Sequence, residues 1–125
     1  MVPLAEPREL HPSERALLDA LVGRTGHPGL RAQARSAVAG STCSCGCPSV
    51  GLRTTGPTLS GADMLRFSGN GRDDVFGIHA HPGDHRVEVV VHVLRGRIDE
   101  LEVYAGDGVV APLPSPDELT DVDIY

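Results

Sequence analysis

Three cysteines alternate within five residues, Cys43-Ser44-Cys45-Gly46-Cys47, with Pro48-Ser49 directly behind them. On an extended segment side chains two apart point the same way, so at least two of these sulfurs share a side. Thiolate sulfur is a soft ligand that suits zinc or another soft metal. Structural zinc sites more often place two residues between paired cysteines, and this chain has no second pair. Histidines would therefore have to complete the shell. The competing reading is a tight turn with small, reduced cysteine side chains buried at its shoulders.

The histidines that could do so cluster further on, in His79-Ala80-His81-Pro82-Gly83-Asp84-His85, with His92 beyond. His79 and His81 are the candidate imidazole ligands, with His85 and His92 as further donors. The order invites comparison with the metallo-β-lactamase-fold hydrolases. One residue too many separates His81 from Asp84, however, and the chain is too short for that fold, so the match is rejected. The alternative is a solvent-facing turn.

Carboxylates form the third group. Glu100 and Glu102, with Asp99 and Glu88 nearby, have the residue types for acid–base work, but acidic residues on the exposed face of a strand are ordinary. From Asp107 to the end the chain carries Asp107, Asp117, Glu118, Asp121 and Asp123 and no basic residue. This is either an acidic face for a cationic partner or a solvated terminal segment. No Ser-His-Asp pattern, phosphate loop or dinucleotide-binding glycine fingerprint occurs.

The elements that must position these groups are readable in part. Residues 1–11 are Pro-rich and polar and read as a flexible arm, leaving 12–125 as a single domain. Ser13 is the expected N-cap of a helix whose stripe is Leu17, Leu18, Leu21 and Val22, with Gly23 as its expected C-cap. A second helix starts at Pro28. Residues 36–42 either continue that helix to a Gly40 cap or form a strand; the strand is preferred, because it turns through the cysteines into Val50–Thr55 as a hairpin. Residues 56–73 read as a long connection with one turn of helix near Ala62–Leu65, followed by a short strand at Val75–Ile78.

The clearest pattern is Arg86-Val87-Glu88-Val89-Val90-Val91-His92-Val93-Leu94, with Val87, Val89, Val91 and Val93 on one face. Arg95-Gly96 makes a two-residue turn, and Arg97 to Ala105 returns. Simple pairing would set Val91 and Val89 against Glu100 and Glu102 and bury two carboxylates, which is costly. One extra residue at Asp99-Glu100, opposite His92, restores Val91–Leu101 and Val89–Val103. A β-bulge is therefore predicted there. Val109–Ala111 is a candidate last short strand, and residues 119–125 a candidate edge strand. The fold class expected is α+β: an antiparallel sheet of about five strands, mixed pairing allowed, with two N-terminal helices packed on one face.

Composition bounds the rest. The chain has 125 residues and is 40% apolar with two Phe, two Tyr and no Trp, so its core must be aliphatic. A domain of this size buries about two-thirds of its unfolded surface and needs neither metal nor disulfide merely to fold. The net charge of −6 argues against a nucleic-acid partner and fits a protein with a basic site. All eleven cationic residues are Arg. An odd cysteine count, no signal-like N-terminus and no apolar run near the ~20 residues of a membrane span make the cytosol the expected location.

A resemblance follows from the residues taken together. Leu10-…-Ser13-Glu14-Arg15-Ala16-Leu17-Leu18, the Cys45-Gly46-Cys47-Pro48-Ser49 turn, the hairpin ending Leu101-Glu102-Val103-Tyr104, and Asp107-Gly108 resemble a family of small bacterial proteins common in actinomycetes. Some families of this kind stand beside secreted toxins as immunity partners. The resemblance implies a protein-binding module rather than an enzyme. The acidic charge gives its expected mechanism: Glu100, Glu102, Asp107, Asp117, Glu118, Asp121 and Asp123 block a cationic site of the partner. The alternative is a metal- or thiol-binding protein using Cys43, Cys45, Cys47 and the histidines, with zinc as the metal. A third reading is a small-molecule or enzymatic domain with the 56–73 loop as a lid.

Overall fold

The valine row folds back on itself, as its alternation requires. In the computed structural model, which describes residues 1–84, 86–106 and 109–125, Glu88–Leu94 pairs antiparallel with Arg97–Tyr104. The pairs are Val89–Val103, Val91–Leu101, His92–Glu100 and Val93–Ile98, with the register shift between His92 and Val93. Asp99 is thus the extra residue of the expected bulge. The turn has Arg95 at φ 51° and Gly96 at φ 82°, the pair of left-handed residues that matches strand twist in a two-residue hairpin.

Numbered in chain order, the described strands are β1 (Val2–Arg8), β2 (Val38–Thr42), β3 (Val50–Arg53), β4 (Val75–His81), β5 (Glu88–Leu94), β6 (Arg97–Tyr104) and β7 (Thr120–Ile124). The helices are α1 (Pro12–Gly23), α2 (Pro28–Ser36) and α3 (Gly61–Phe67), with a short 3₁₀ turn at Pro116–Glu118. One sheet runs β1-β2-β3-β6-β5-β4-β7 with every pairing antiparallel. The chain is α+β, but among the described residues the expected five or so strands are seven and the two helices three.

The added strands have physical causes. Residues 1–11 are not a loose arm: Val2 pairs with Thr42, Pro3 with Ser41 and Arg8 with Ala39. Pro3 and Pro7 sit on an edge strand, where a missing N–H costs little and blunts the exposed edge. At the far edge, β7 pairs through Ile124–Ile78 and Asp123–His79. Val109 and Val110 form no strand and are exposed; Ala111 and Leu113 rest against the core margin instead. Residues 56–73 are no free lid, because α3 lies within them and Leu59 and Met64 enter the core.

Leu17, Leu18 and Leu21 of α1, Leu30 of α2 and Met64 of α3 share a core with Val89, Val91, Val93, Ile98 and Leu101. All three helices therefore cover one face of the sheet, and Val90, His92, Glu100 and Glu102 lie on the other. The α1 N-cap is His11, two residues before the expected Ser13, because Pro12 takes the first helical position. Its C-cap is Arg24, one residue beyond Gly23. None of the described helices is long and apolar enough to cross a membrane.

Candidate thiolate site

The cysteines occupy the seven-residue connection between β2 and β3, whose ends pair as Thr42–Val50. Gly46 adopts φ 87°, a left-handed conformation that turns the chain back, and its N–H reaches the Cys43 carbonyl at 3.4 Å. The turn, rather than an extended pleat, collects all three sulfurs: their Sγ atoms lie within 4.8 Å of one another. Cys43 and Cys45 are closest, at 2.7 Å. The Cys47 N–H donates to Cys45 Sγ at 3.4 Å, and Cys47 Sγ–H donates to Ser49 Oγ at 3.4 Å. All three are free thiols; Cys45 is exposed and the other two half-buried.

Ser49 fixes this turn to the sheet. Its buried hydroxyl accepts the Val103 N–H at 2.9 Å and donates to the Val103 carbonyl at 3.3 Å, extending the β3–β6 pairing through a side chain. The same hydroxyl stands 3.4 Å from the Cys47 sulfur, and turned to donate its proton to the ionised sulfur instead of the Val103 carbonyl it is the main reason the Cys47 thiol is lowered to about 7. Cys45 is pushed up to about 11, chiefly by its contact with Cys43. The cluster thus holds one thiol that ionises near neutrality beside one that stays protonated.

Cys47 also opens on a cleft of about 270 Å³ walled by Arg8, His11, Glu14, Thr42, Ser49 and Leu113. The Arg8–Glu14 ion pair, at 2.9 and 3.1 Å, ties β1 to α1 along it. Neither Ser49 nor this cleft was legible in sequence. Pro48-Ser49 gives a turn but no hint that the hydroxyl reaches β6, and the wall from β1 lies in residues whose sequence reads as a flexible arm.

His79 and His81 do not join the cysteines. They lie on β4, three strands from β3 in the sheet order, which is about 14 Å at ordinary strand spacing. On the open face His79 Nδ1 lies 3.5 Å and His81 Nε2 3.7 Å from the two oxygens of Glu88. His81 Nδ1 meets the Val87 carbonyl at 2.8 Å, and the His79 ring stacks on Tyr125 at 4.0 Å. Among the described residues the three cysteines are the one group of three or more His, Cys, Asp or Glu whose ligating atoms come within 4.8 Å of each other. His85 lies outside the described residues.

The acidic candidates divide between layers. Glu100 and Glu102 are on the open face, where His92 Nε2 meets Glu102 Oε1 at 3.0 Å. Burial, then the neighbouring Glu102 charge, raises the Glu100 carboxyl above its ordinary range. Asp117 and Glu118 sit in the 3₁₀ turn, which packs against α1 on the helical layer. Asp121 and Asp123 belong to β7, and Asp107 lies outside the described residues. No known protein family, curated protein or solved structure matches this chain.

Proposed function

We propose that this protein binds a soft metal ion through the thiolates of Cys43, Cys45 and Cys47. The observation that carries the reading is the convergence of three sulfurs within 4.8 Å on one turn. Zinc holds thiolates at about 2.3 Å, which sets neighbouring sulfurs about 3.8 Å apart in tetrahedral geometry. The cluster spans that separation, and the Cys43–Cys45 pair needs to open by about 1 Å to meet it. Three protein ligands leave the fourth position of a zinc ion to an exogenous donor, while Cu(I) accepts soft sulfur ligands equally well. Cys47 enters the complex with least proton cost, because its thiol already ionises at about 7.

The test is titration of reduced, tag-free protein, cleared with chelator, with Zn²⁺, Co²⁺ and Cu(I). One ion per chain is expected, with sulfur-to-cobalt charge-transfer absorption that each single Cys→Ser substitution weakens. Substoichiometric binding, or binding that survives the triple Ser variant, overturns the reading.

A second reading is a protein-binding, immunity-like module whose acidic open face occludes a cationic partner site in the cytosol. It draws support from Glu88, Glu100 and Glu102 sharing the face that no described helix covers, and from the net charge of −6. Charge reversal at Glu100, Glu102, Asp121 and Asp123 should then abolish salt-sensitive capture of that partner. An affinity indifferent to all four reversals removes it.

A further inference from the structure

The three thiols are not equivalent in what surrounds them. Cys45 is the exposed one, yet Cys47 is the one that lines the 270 Å³ cleft. Behind the Cys47 sulfur stands a hydroxyl held rigidly in place: Ser49 is 5% exposed and bonded to both backbone groups of Val103. Cys45 is the neighbouring thiol, its sulfur accepting the Cys47 N–H at 3.4 Å and lying within 4.8 Å of the Cys47 sulfur. Cys43 touches Cys45 in turn, at 2.7 Å. A disulfide requires sulfurs at about 2.05 Å, and the Cys45 and Cys47 sulfurs start within 4.8 Å of each other, so side-chain rotation has to close that gap. One thiol lining a cleft, with a second thiol sulfur within 4.8 Å of it, is the arrangement that thiol–disulfide exchange requires.

We propose that this turn also exchanges thiols for disulfides, with Cys47 attacking a low-molecular-weight organic disulfide seated in the cleft and Cys45 resolving the mixed disulfide. In the first step the Cys47 thiolate bonds to one sulfur of R–S–S–R and displaces the other as RS⁻. Cys45 then gives its proton to solvent and attacks Cys47 Sγ, forming the Cys45–Cys47 bond and displacing the second RS⁻. Two protein thiols are oxidised, one organic disulfide is reduced, and the two released thiolates take up the two protons. The cleft walls mix polar groups with the apolar Pro48 and Leu113, and its one formal cation, Arg8, is neutralised by Glu14. A compact zwitterionic disulfide such as cystine suits it better than a strongly anionic one. The activity uses the sulfurs of the proposed metal site but needs no metal, and oxidation and metal binding exclude one another.

The test uses full-length reduced protein in chelator, with cystine as probe and intact mass as readout. Three variants, each keeping one cysteine and replacing the other two with Ser, are compared after circular dichroism shows that they fold. Because Cys47 is the one cysteine that lines the cleft where cystine would sit, the variant keeping it should form the cysteine adduct at least about tenfold faster than those keeping Cys43 or Cys45, and should retain it. Wild-type protein should pass through the adduct to a species two hydrogens lighter. Leu113→Trp, which fills the cleft, should slow reaction with cystine and leave reaction with a methylating thiol reagent unchanged. If access alone governed reactivity, the exposed Cys45 would react fastest. That order, equal rates for the three, or a persistent adduct on wild-type protein overturns the proposal. A failed metal titration leaves this outcome unaffected, so the two readings fail separately.

Discussion

Arg8 lays its two terminal guanidinium nitrogens on the two oxygens of Glu14, at 2.9 and 3.1 Å, and the His11 N–H reaches the same carboxylate at 2.8 Å. One carboxylate therefore closes the helix start and fastens β1 to α1. Burial alone would push the Glu14 carboxyl up, but the bonds from Arg8 and His11 outweigh it and hold it below its ordinary range. A lowered folded value means the stabilisation is fully present above the unfolded carboxyl's value of about 4.3 and fades as pH falls through the folded one. Glu14→Gln should cost about 1–3 kcal/mol at pH 7, the lower end reflecting the part-exposed Arg8. Urea unfolding at pH 7 and pH 3 checks this: the difference between wild type and variant should shrink at the lower pH.

The Ser49 hydroxyl sets the ionisation of Cys47. Alkylation at Cys47, followed at its own site in the wild-type protein, should reach half its maximal rate near pH 7, and Ser49→Ala should move that midpoint toward the ordinary thiol range. Because the folded value is depressed, the thiolate's contribution to stability is present above about pH 8.5, the unfolded thiol's value, and is lost as pH falls through the folded value. Metal affinity should weaken over the same descent, since protons compete for the sulfurs. Iodoacetamide rates across pH 5–9 measure the first effect. An unchanged midpoint in Ser49→Ala would show that the hydroxyl plays no part.

Gln33 is a buried amide of α2 and is 1% exposed. Its Oε1 accepts the Ile98 N–H at 2.9 Å, while its Nε2 donates to the carbonyls of Gly96 at 2.9 Å and Pro57 at 3.1 Å. Gln33→Met keeps the volume but strands the Ile98 N–H, so a loss of about 2–4 kcal/mol is expected. Gly96→Ala should be comparably damaging, since a Cβ there would stand 2.6 Å from the Leu59 carbonyl at φ 82°, and strained left-handed positions cost about 1–3 kcal/mol. Denaturant midpoints of the two variants test both.

What could be read from sequence divides along physical lines. The leucine stripe of α1 and the valine row of β5 state their buried faces within a few residues, so local periodicity sufficed. β1 could not be read this way: its partner β2 is some thirty residues on, its two prolines suit an edge only once an edge exists, and Arg8 has no meaning until Glu14 is placed beside it. The site shows the same division. Alternating cysteines announced themselves, but the depth of their turn depends on Gly46 at positive φ and on Ser49 meeting Val103, fifty-four residues later. His79 and His81 looked available to the cysteines because sequence gives no strand order. Interposing β6 and β5 between β3 and β4 separates them.

The bulge at Asp99 offers the sharpest test of how sequence sets this sheet. With Asp99 as the extra residue, Val91 meets Leu101 and Val89 meets Val103, each 5% exposed or less. Deleting Asp99 while the Arg95-Gly96 turn stays fixed removes only the extra residue: Ile98 still follows Val93, Glu100 still falls opposite His92 and Leu101 opposite Val91, so every side chain keeps its face. Deleting Asp99 and Glu100 together moves the rest of β6 by one further position. That shift sets Leu101 opposite His92 on the open face and Glu102 opposite Val91 in the aliphatic core. An uncompensated buried carboxylate, with Leu101 and Val103 lost from the core, rivals the roughly 5–15 kcal/mol that holds a domain of this size together. The double deletion should therefore abolish cooperative unfolding, while deletion of Asp99 alone should leave a cooperatively melting protein. Asp99→Gly preserves the count of residues, and with it the bulge, and should shift the melting midpoint by only a few degrees, corresponding to about 1 kcal/mol or less. If the double-deletion variant melts cooperatively near the wild-type temperature, burial of charge does not enforce this register. The placement of Glu100 and Glu102 on the open face would then need another cause.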